Sequence, residues 1–307
     1  MSWPRIAVLG AGAVGCYFGG MLARAGAPVT LIGRRRHVEA IEKDGLWIAS
    51  RSFQESVRIA ATTDASGARA AELVLICVKT PDTDEAAGAI APHLSPGAVV
   101  VSLQNGMDNA ERIAAVVPNP VVPAVVYVSA EMTGPGRLRH NGRGDLIVGA
   151  PRERSVPGLD ALAATFVRAS IPCRVSTGIE RDLWEKLALN CAFNAISALG
   201  RARYARLIAH APARAVLREV ITEVVAVAGG DGVALSADAL THAAEALAAS
   251  VPEAISSTAQ DLAEGRPTEI DDLNGYVARR GEALGLPTPV NRTLYALVRL
   301  LQEGREG

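Results

Sequence analysis

Four polar residues stand out on an otherwise apolar stretch near the middle of the chain: Lys186, Asn190, Asn194 and Ser197. At 100° per residue they fall on one side of a helix whose other positions are apolar nearly all round. A buried amine and buried amides need partners, so the stripe faces either an internal polar network or a ligand. Lysine is rare in this protein. Of 31 basic residues only Lys43, Lys79 and Lys186 are not arginine. A lysine kept against that bias offers a compact amine that gives up a proton, which a guanidinium does not.

A second constellation lies at the other end of the chain, in Gly10-Ala11-Gly12-Ala13-Val14-Gly15. An apolar run, Ile6 to Leu9, precedes it and a helical run, Cys16 to Ala25, follows. In a dinucleotide fingerprint the first glycine permits the tight turn. The second lets backbone approach a pyrophosphate, and the third lets the helix pack against the strand. The helix N-terminus would offer its N–H groups to the phosphates. A plain strand-to-helix turn with no ligand has the same pattern.

The elements that must carry these groups follow from the order of apolar runs. Strands are expected at Ile6 to Leu9, Val29 to Ile32, Leu46 to Ser50, Val57 to Ala60, Leu73 to Val78, Ala98 to Leu103 and Val121 to Ser129. After Gly134-Pro135-Gly136 come a short Arg137 to His140, Leu146 to Val148 and Cys173 to Ser176. Helices are expected between them, so the first part reads as a doubly wound parallel sheet of Rossmann type. From Thr177 onward the periodicity is helical, which places a boundary between 1–177 and 178–307. Thr177 and Glu180 have capping-box spacing for the long helix that carries Lys186.

Gly33-Arg34-Arg35-Arg36 follows the second strand, where an NAD-preferring site carries an acid for the ribose hydroxyl and an NADP site carries arginine. Arg34 is the candidate for the 2′-phosphate, against a solvated basic turn. Lys79, at the end of the Leu73 to Val78 strand, suits cofactor phosphate or ribose, or else opens the next helix as a simple charge. Asn105, in the Gln104-Asn105-Gly106 turn, can both donate and accept. Glu269 is expected in the first turn of a helix whose core face is Ile270, Leu273 and Val277.

The chain of 307 residues carries a net charge of −1, which argues against nucleic-acid or membrane-surface partners. No apolar run reaches the roughly 18 residues that a membrane helix needs. The first strand starts almost at once, so no leader is expected. The four cysteines, Cys16, Cys77, Cys173 and Cys191, are scattered through apolar runs and read as reduced core residues. A cytoplasmic protein, monomer or homodimer, with no metal site is expected.

Taken together, the chain resembles the ketopantoate reductase family over nearly its whole length. The resemblance rests on Gly10 to Gly15, Val78-Lys79-Thr80, Gln104-Asn105-Gly106, Trp184-x-Lys186 with Asn190 and Asn194, and Ser257 followed by Glu269 in Thr-Glu-Ile-Asp. It implies NADPH as cofactor and a small 2-oxo acid, ketopantoate, as substrate. It implies that Lys186 donates the proton and that Asn190, Asn194 and Ser257 hold substrate. Glu269 supports binding and catalysis, Asn105 touches cofactor and substrate, and both belong with Lys79 among the cofactor contacts. Thr258 stands where many members have methionine, and Tyr204 where some have a further substrate-binding asparagine. The alternatives are a related reductase of another 2-oxo acid and a non-catalytic NADP-binding regulatory module.

Overall fold

The structure, a computed structural model, describes residues 2–152 and 155–304. The chain divides into two compact units, Met1–Gln104 with Asp108–Ile179, and Asn105–Met107 with Glu180–Gly307.

The first unit is built on β1 (Ile6–Leu9), α1 (Ala13–Arg24) and β2 (Val29–Ile32). All four residues of β1 are buried, as expected of a strand covered on both faces. There follow α2 (Arg35–Asp44), β3 (Leu46–Ala49), β4 (Gln54–Val57), β5 (Ala60–Thr62), β6 (Leu73–Ile76), α3 (Thr83–Ile90) and β7 (Val99–Ser102). The unit ends with α4 (Asn109–Ala114), β8 (Val121–Gly134), β9 (Arg137–Gly149), α5 (Leu159–Arg168) and β10 (Cys173–Ser176). The sheet order is β4-β3-β9-β8-β7-β6-β1-β2-β5, with β10 added on β9.

From β5 to β8 the neighbours are parallel, and the strand order reverses between β1 and β6. Ligands of open α/β sheets gather outside the C-terminal ends of the strands at such a switch point. The Gly10–Gly15 turn leaves β1 there. Apolar side chains pack on both faces, with Phe18, Leu22, Leu31 and Phe166 in one cluster and Ile32, Ile76, Ile90 and Ile113 in another.

Two stretches differ from the sequence expectation. Residues 121–149 form one long antiparallel pair, not three short strands. Register shifts at Tyr127/Val128 and Ser129/Ala130 bend it and break the alternation by which a single long strand is recognised. The expected strand Val57 to Ala60 is instead the junction between β4 and β5, where the chain passes from an antiparallel partner, β3, to a parallel one, β2.

The second unit holds α6 (Ile179–Gly200), α7 (Tyr204–Ala209), α8 (Ala211–Gly230), α9 (Ala237–Ser250), α10 (Ser257–Ala263), α11 (Asn274–Leu284) and α12 (Pro289–Glu303). Its core gathers around α6, through Trp184, Leu187, Cys191 and Phe193, together with Val220, Val224, Val277 and Val298. Small residues at Ala188, Ala192 and Ala195, all fully buried, let neighbouring backbones approach α6 closely. α6 starts at Ile179, two residues after Thr177, and the Ser176 hydroxyl accepts from Gly178 N at 3.0 Å. Glu269 is not in the first turn of a helix. It precedes a 3-10 turn, Ile270–Asp272, and α11 begins only at Asn274. Among the described residues no helix is long and apolar enough to cross a membrane.

Candidate active site

In the first unit the three glycines of the β1–α1 turn differ in what they do. Gly10 has φ +108°, and a Cβ there would lie 2.7 Å from the Cys77 carbonyl carbon. A Cβ on Gly15 would lie 2.0 Å from the Gly10 oxygen. Those two are demanded by the packing of the chain on itself. Gly12 is not, since a Cβ there would meet nothing within 4 Å. Its bareness leaves open space at the start of α1, where Gly12 is the N-cap, no side chain caps the helix and the first turn has no acid. The N–H groups of that turn, with the positive end of the helix dipole, suit an anion. The turn therefore fits the pyrophosphate of a dinucleotide.

Ala11 is buried, and a Cβ on Gly33 would lie 2.5 Å from the Ala11 Cβ, so the end of β2 lies tight against this turn. Ala13 and Val14 open α1. Arg34 caps α2 with its backbone and leaves its side chain 79% exposed, 4.0 Å from the Asp82 carboxylate. An exposed pair of that kind contributes little, which leaves the guanidinium available to a phosphate. His37, just inside α2, is buried and accepts from Arg36 Nε at 3.2 Å. Burial, and then Arg36 and Arg34, hold its pKa below the ordinary histidine value. Half-buried Lys79 precedes the 3-10 turn Thr80–Asp82 beyond β6.

A buried polar chain that the sequence reading missed ties these strand ends together. Gln104 Nε2 donates to Val78 O at 3.1 Å and to Thr83 Oγ1 at 2.7 Å, while Ser102 Oγ donates to Gln104 Oε1 at 3.0 Å. Thr83 Oγ1 in turn donates to Asn109 Oδ1 at 2.8 Å, and Asn109 Nδ2 donates to Thr80 Oγ1 at 3.3 Å. Only the Gln-Asn-Gly turn carried a signal for it. Thr83 and Asn109 lie in helices where neither residue type draws notice.

In the second unit Asn105, Lys186 and Glu269 come together. Lys186 Nζ donates to Asn105 Oδ1 at 2.9 Å, and Asn105 Nδ2 donates to Glu269 Oε2 at 2.8 Å. All three side chains are half-buried. Each bond has one charged partner, which makes both shorter and stronger than neutral ones. The amide is held with its oxygen toward the ammonium and its nitrogen toward the carboxylate.

The polar stripe on α6 divides into two parts. Ser197, fully buried, donates to Ala202 O at 2.8 Å and accepts from Ser256 N at 3.3 Å, so it belongs to an internal network. Ser256 Oγ donates to Asn194 O at 3.1 Å and accepts from Ala259 N at 3.1 Å, so it caps α10 and stitches it to α6. That stitch brings Ser257, at the exposed start of α10, to the level of Asn194. The amides of Asn190 and Asn194 and the Ser257 hydroxyl make no hydrogen bond to other described residues, which suits groups turned to a ligand. Thr258 is buried. The Tyr204 ring stacks on Phe193 with centroids 4.3 Å apart, and burial pushes its phenol up to about 12. Among the described residues no group of three His, Cys, Asp or Glu side chains could hold a metal ion.

An ammonium bonded to an amide that is itself bonded to a carboxylate is suited to polar carbonyl chemistry. The sequence profile described as Ketopantoate reductase PanE/ApbA matches residues 6–153, and that of its C-terminal part matches residues 178–302. The chain belongs to the ketopantoate reductase family. That family is one of NAD(P)-dependent reductases. The 2-dehydropantoate 2-reductase of Halobacterium salinarum is 36% identical over 97% of this chain and 99% of its own length. A crystal structure of a PanE/ApbA family ketopantoate reductase from Ralstonia eutropha is 47% identical, with a TM-score of 0.93 over 99% of this chain and 100% of that one. That of a putative ketopantoate reductase from Ralstonia solanacearum is 32% identical, with a TM-score of 0.88 over 99% of each chain. Nearly the whole length of this ketopantoate reductase family chain is thus matched, both units included.

Proposed function

We propose that the protein reduces ketopantoate (2-dehydropantoate) to pantoate with NADPH, a step of pantothenate and coenzyme A biosynthesis. The observation that carries this reading is the Lys186–Asn105–Glu269 hydrogen-bonded chain. In this reading residues 1–177 serve the cofactor and 178–307 the substrate, with Asn105 joining the second group. The Gly10 to Gly15 turn would hold the pyrophosphate, Arg34 the 2′-phosphate and Lys79 the adjacent phosphate or ribose, with Asn105 and Glu269 near the reacting end. NADPH, when bound, supplies the hydride for the carbonyl carbon.

Lys186 does the rest of the chemistry. Its ammonium stands as general acid and gives a proton to the oxygen of the ketone as that oxygen gains charge. General acid help of this kind is worth roughly 10²–10⁴ in rate. Asn105 accepts a hydrogen bond from the ammonium, which aims it. Asn105 and Ser257 orient the substrate carboxylate and carbonyl. Asn190, Asn194 and Glu269 take the distal hydroxyl, the carboxylate of Glu269 as acceptor and the amides as donors or acceptors.

Oxidation of NADPH in the presence of ketopantoate, with pantoate identified as product, tests the proposal. Turnover with ketopantoate above that with 2-oxo acids of similar shape that lack the hydroxyl is the expected result. A second reading, a reductase of another branched 2-oxo acid, draws on Tyr204, whose ring lies against Phe193 on the substrate helix. Preference for a 2-oxo acid without the hydroxyl would favour it. NADPH binding without turnover of any 2-oxo acid would leave a regulatory binding module.

A further inference from the structure

Glu269 sits on a piece of chain with little regular secondary structure, anchored in the core only on its C-terminal side by Ile270 and Leu273. Between the end of α10 at Ala263 and the start of α11 at Asn274 the backbone makes only the 3-10 turn Ile270–Asp272. Such turns are short and poorly bonded. Here the turn is closed by Asp272 N donating to Glu269 O at 3.0 Å and a longer bond from Leu273 N to Ile270 O at 3.4 Å. Yet the Glu269 carboxylate must meet Asn105 at hydrogen-bond distance, and such bonds weaken steeply once displaced.

Two grips from α12 flank Glu269. On one side Gln302 Oε1 accepts from both Thr268 N and Thr268 Oγ1, each at 2.9 Å. On the other, Asp271 Oδ1 accepts from Tyr295 OH at 2.8 Å and Asp271 Oδ2 accepts from Arg299 at 3.0 Å. Arg279 adds a bond to the Asp271 carbonyl at 2.9 Å. The spacing of Tyr295, Arg299 and Gln302, four residues and then three, puts them on one face of α12. Gly275 makes room for this arrangement, because a Cβ there would lie 3.0 Å from the Tyr295 ring and 3.1 Å from Ile270 O.

The far end of α12 is itself tied down. The Glu223 carboxylate of α8 accepts from Val290 N at 2.8 Å, from Asn291 N at 2.9 Å and from Asn291 Nδ2 at 2.7 Å. The Arg299–Asp271 pair is more than a third exposed on both sides, and exposed ion pairs contribute little to stability. Directional bonds on the residue before Glu269 and on the second residue after it serve better to aim a side chain.

We propose that Tyr295, Arg299 and Gln302 are positioning residues, which grip Thr268 and Asp271 so that the Glu269 carboxylate stands where Asn105 and the substrate hydroxyl meet it. The proposal rests on the reading of Glu269 as a substrate-binding group. Steady-state kinetics with ketopantoate and NADPH on the full chain tests it, using Tyr295→Phe, Gln302→Ala, their combination, and the same changes in a Glu269→Ala background.

The combined variant should raise the ketopantoate KM roughly 5- to 50-fold and the NADPH KM by less, and Tyr295→Phe alone, which removes one hydroxyl, should give part of that effect. Gln302→Glu, whose carboxylate accepts the same two bonds, should keep the wild-type KM. In the Glu269→Ala background the same changes should add nothing. The proposal is overturned if Glu269→Ala raises the ketopantoate KM while the α12 variants do not, or if the two losses simply add. Should Glu269→Ala itself leave that KM unchanged, the reading of Glu269 fails, and the positioning role falls with it. If the combined variant does not fold, Tyr295→Phe against Glu269→Ala makes the same comparison.

Discussion

Lys186 and Asn105 stand 81 positions apart in the chain, and Lys186 Nζ donates to Asn105 Oδ1 at 2.9 Å. The same amide donates to Glu269, 164 positions away, at 2.8 Å. An aspartate at 105 could not donate, and a lysine could not accept. The amide is the group that satisfies a cation and an anion at once.

Asn105→Ala should therefore remove two charge-assisted bonds together. Each is worth about 1.5–3 kcal/mol, so kcat/KM for ketopantoate should fall at least about 10-fold. Asn105→Asp should do no better, because it keeps an acceptor for Lys186 but sets a like charge beside Glu269. An Asp variant with wild-type kcat/KM would show that the bond to Glu269 does not matter.

In the proposed function Glu269 takes the distal hydroxyl and not the ketone. Glu269→Ala should then hurt ketopantoate more than a 2-oxo acid of similar shape without the hydroxyl, measured as the ratio of the two kcat/KM values before and after. Equal losses on both substrates would contradict this role.

The glycines of the first turn separate folding from cofactor binding. Gly15→Ala drives a methyl onto the Gly10 carbonyl oxygen, which lies 2.0 Å from where the new Cβ would stand. It should lower the melting temperature markedly, since overpacking of this kind costs about 1–3 kcal/mol or more. Gly12→Ala meets no protein atom within 4 Å. It should leave the melting temperature near wild type and raise the KM for NADPH. Loss of stability in Gly12→Ala with unchanged NADPH binding would show that the open space there serves the chain and not a ligand.

Much of this organisation is legible in the sequence, for reasons that can be named. β1, β6 and β7 are apolar runs buried on both faces, and such runs mark parallel strands. Lys186 is conspicuous because it is one of three lysines and opens the mostly apolar stretch 186–199 of α6. The bent β8–β9 pair is not legible, because the bulges that curl it also break its alternation. The spacing of Ile270, Leu273 and Val277 suggests a helix opening at Glu269, but Asp272 and Leu273 close a separate turn before α11 begins. Ser197 has the spacing of the ligand stripe, and only its bonds to Ala202 and Ser256 show that it belongs to the interior. Tyr295, Arg299 and Gln302 show only ordinary helical spacing, and nothing in the sequence says what they hold.

In the proposed function cofactor choice depends on Arg34, whose exposed guanidinium caps no helix with its side chain and lies 4.0 Å from the Asp82 carboxylate. A charge-assisted bond to a 2′-phosphate is worth about 1.5–3 kcal/mol, roughly 10- to 150-fold in binding. Wild type should prefer NADPH over NADH by at least the lower figure, and Arg34→Ala should weaken NADPH while leaving NADH nearly unchanged. Equal weakening of both cofactors would make Arg34 a solvated turn residue.

The proton donor is the centre of the account, and the Lys186→Ala variant tests it most directly. Its turnover of ketopantoate, measured at saturating NADPH, should fall by roughly 10²–10⁴, while titration shows NADPH still bound. Lys186→Arg should be almost as poor, because a guanidinium does not release its proton near neutral pH. A Lys186→Ala protein that turns over ketopantoate near the wild-type rate would contradict the assignment.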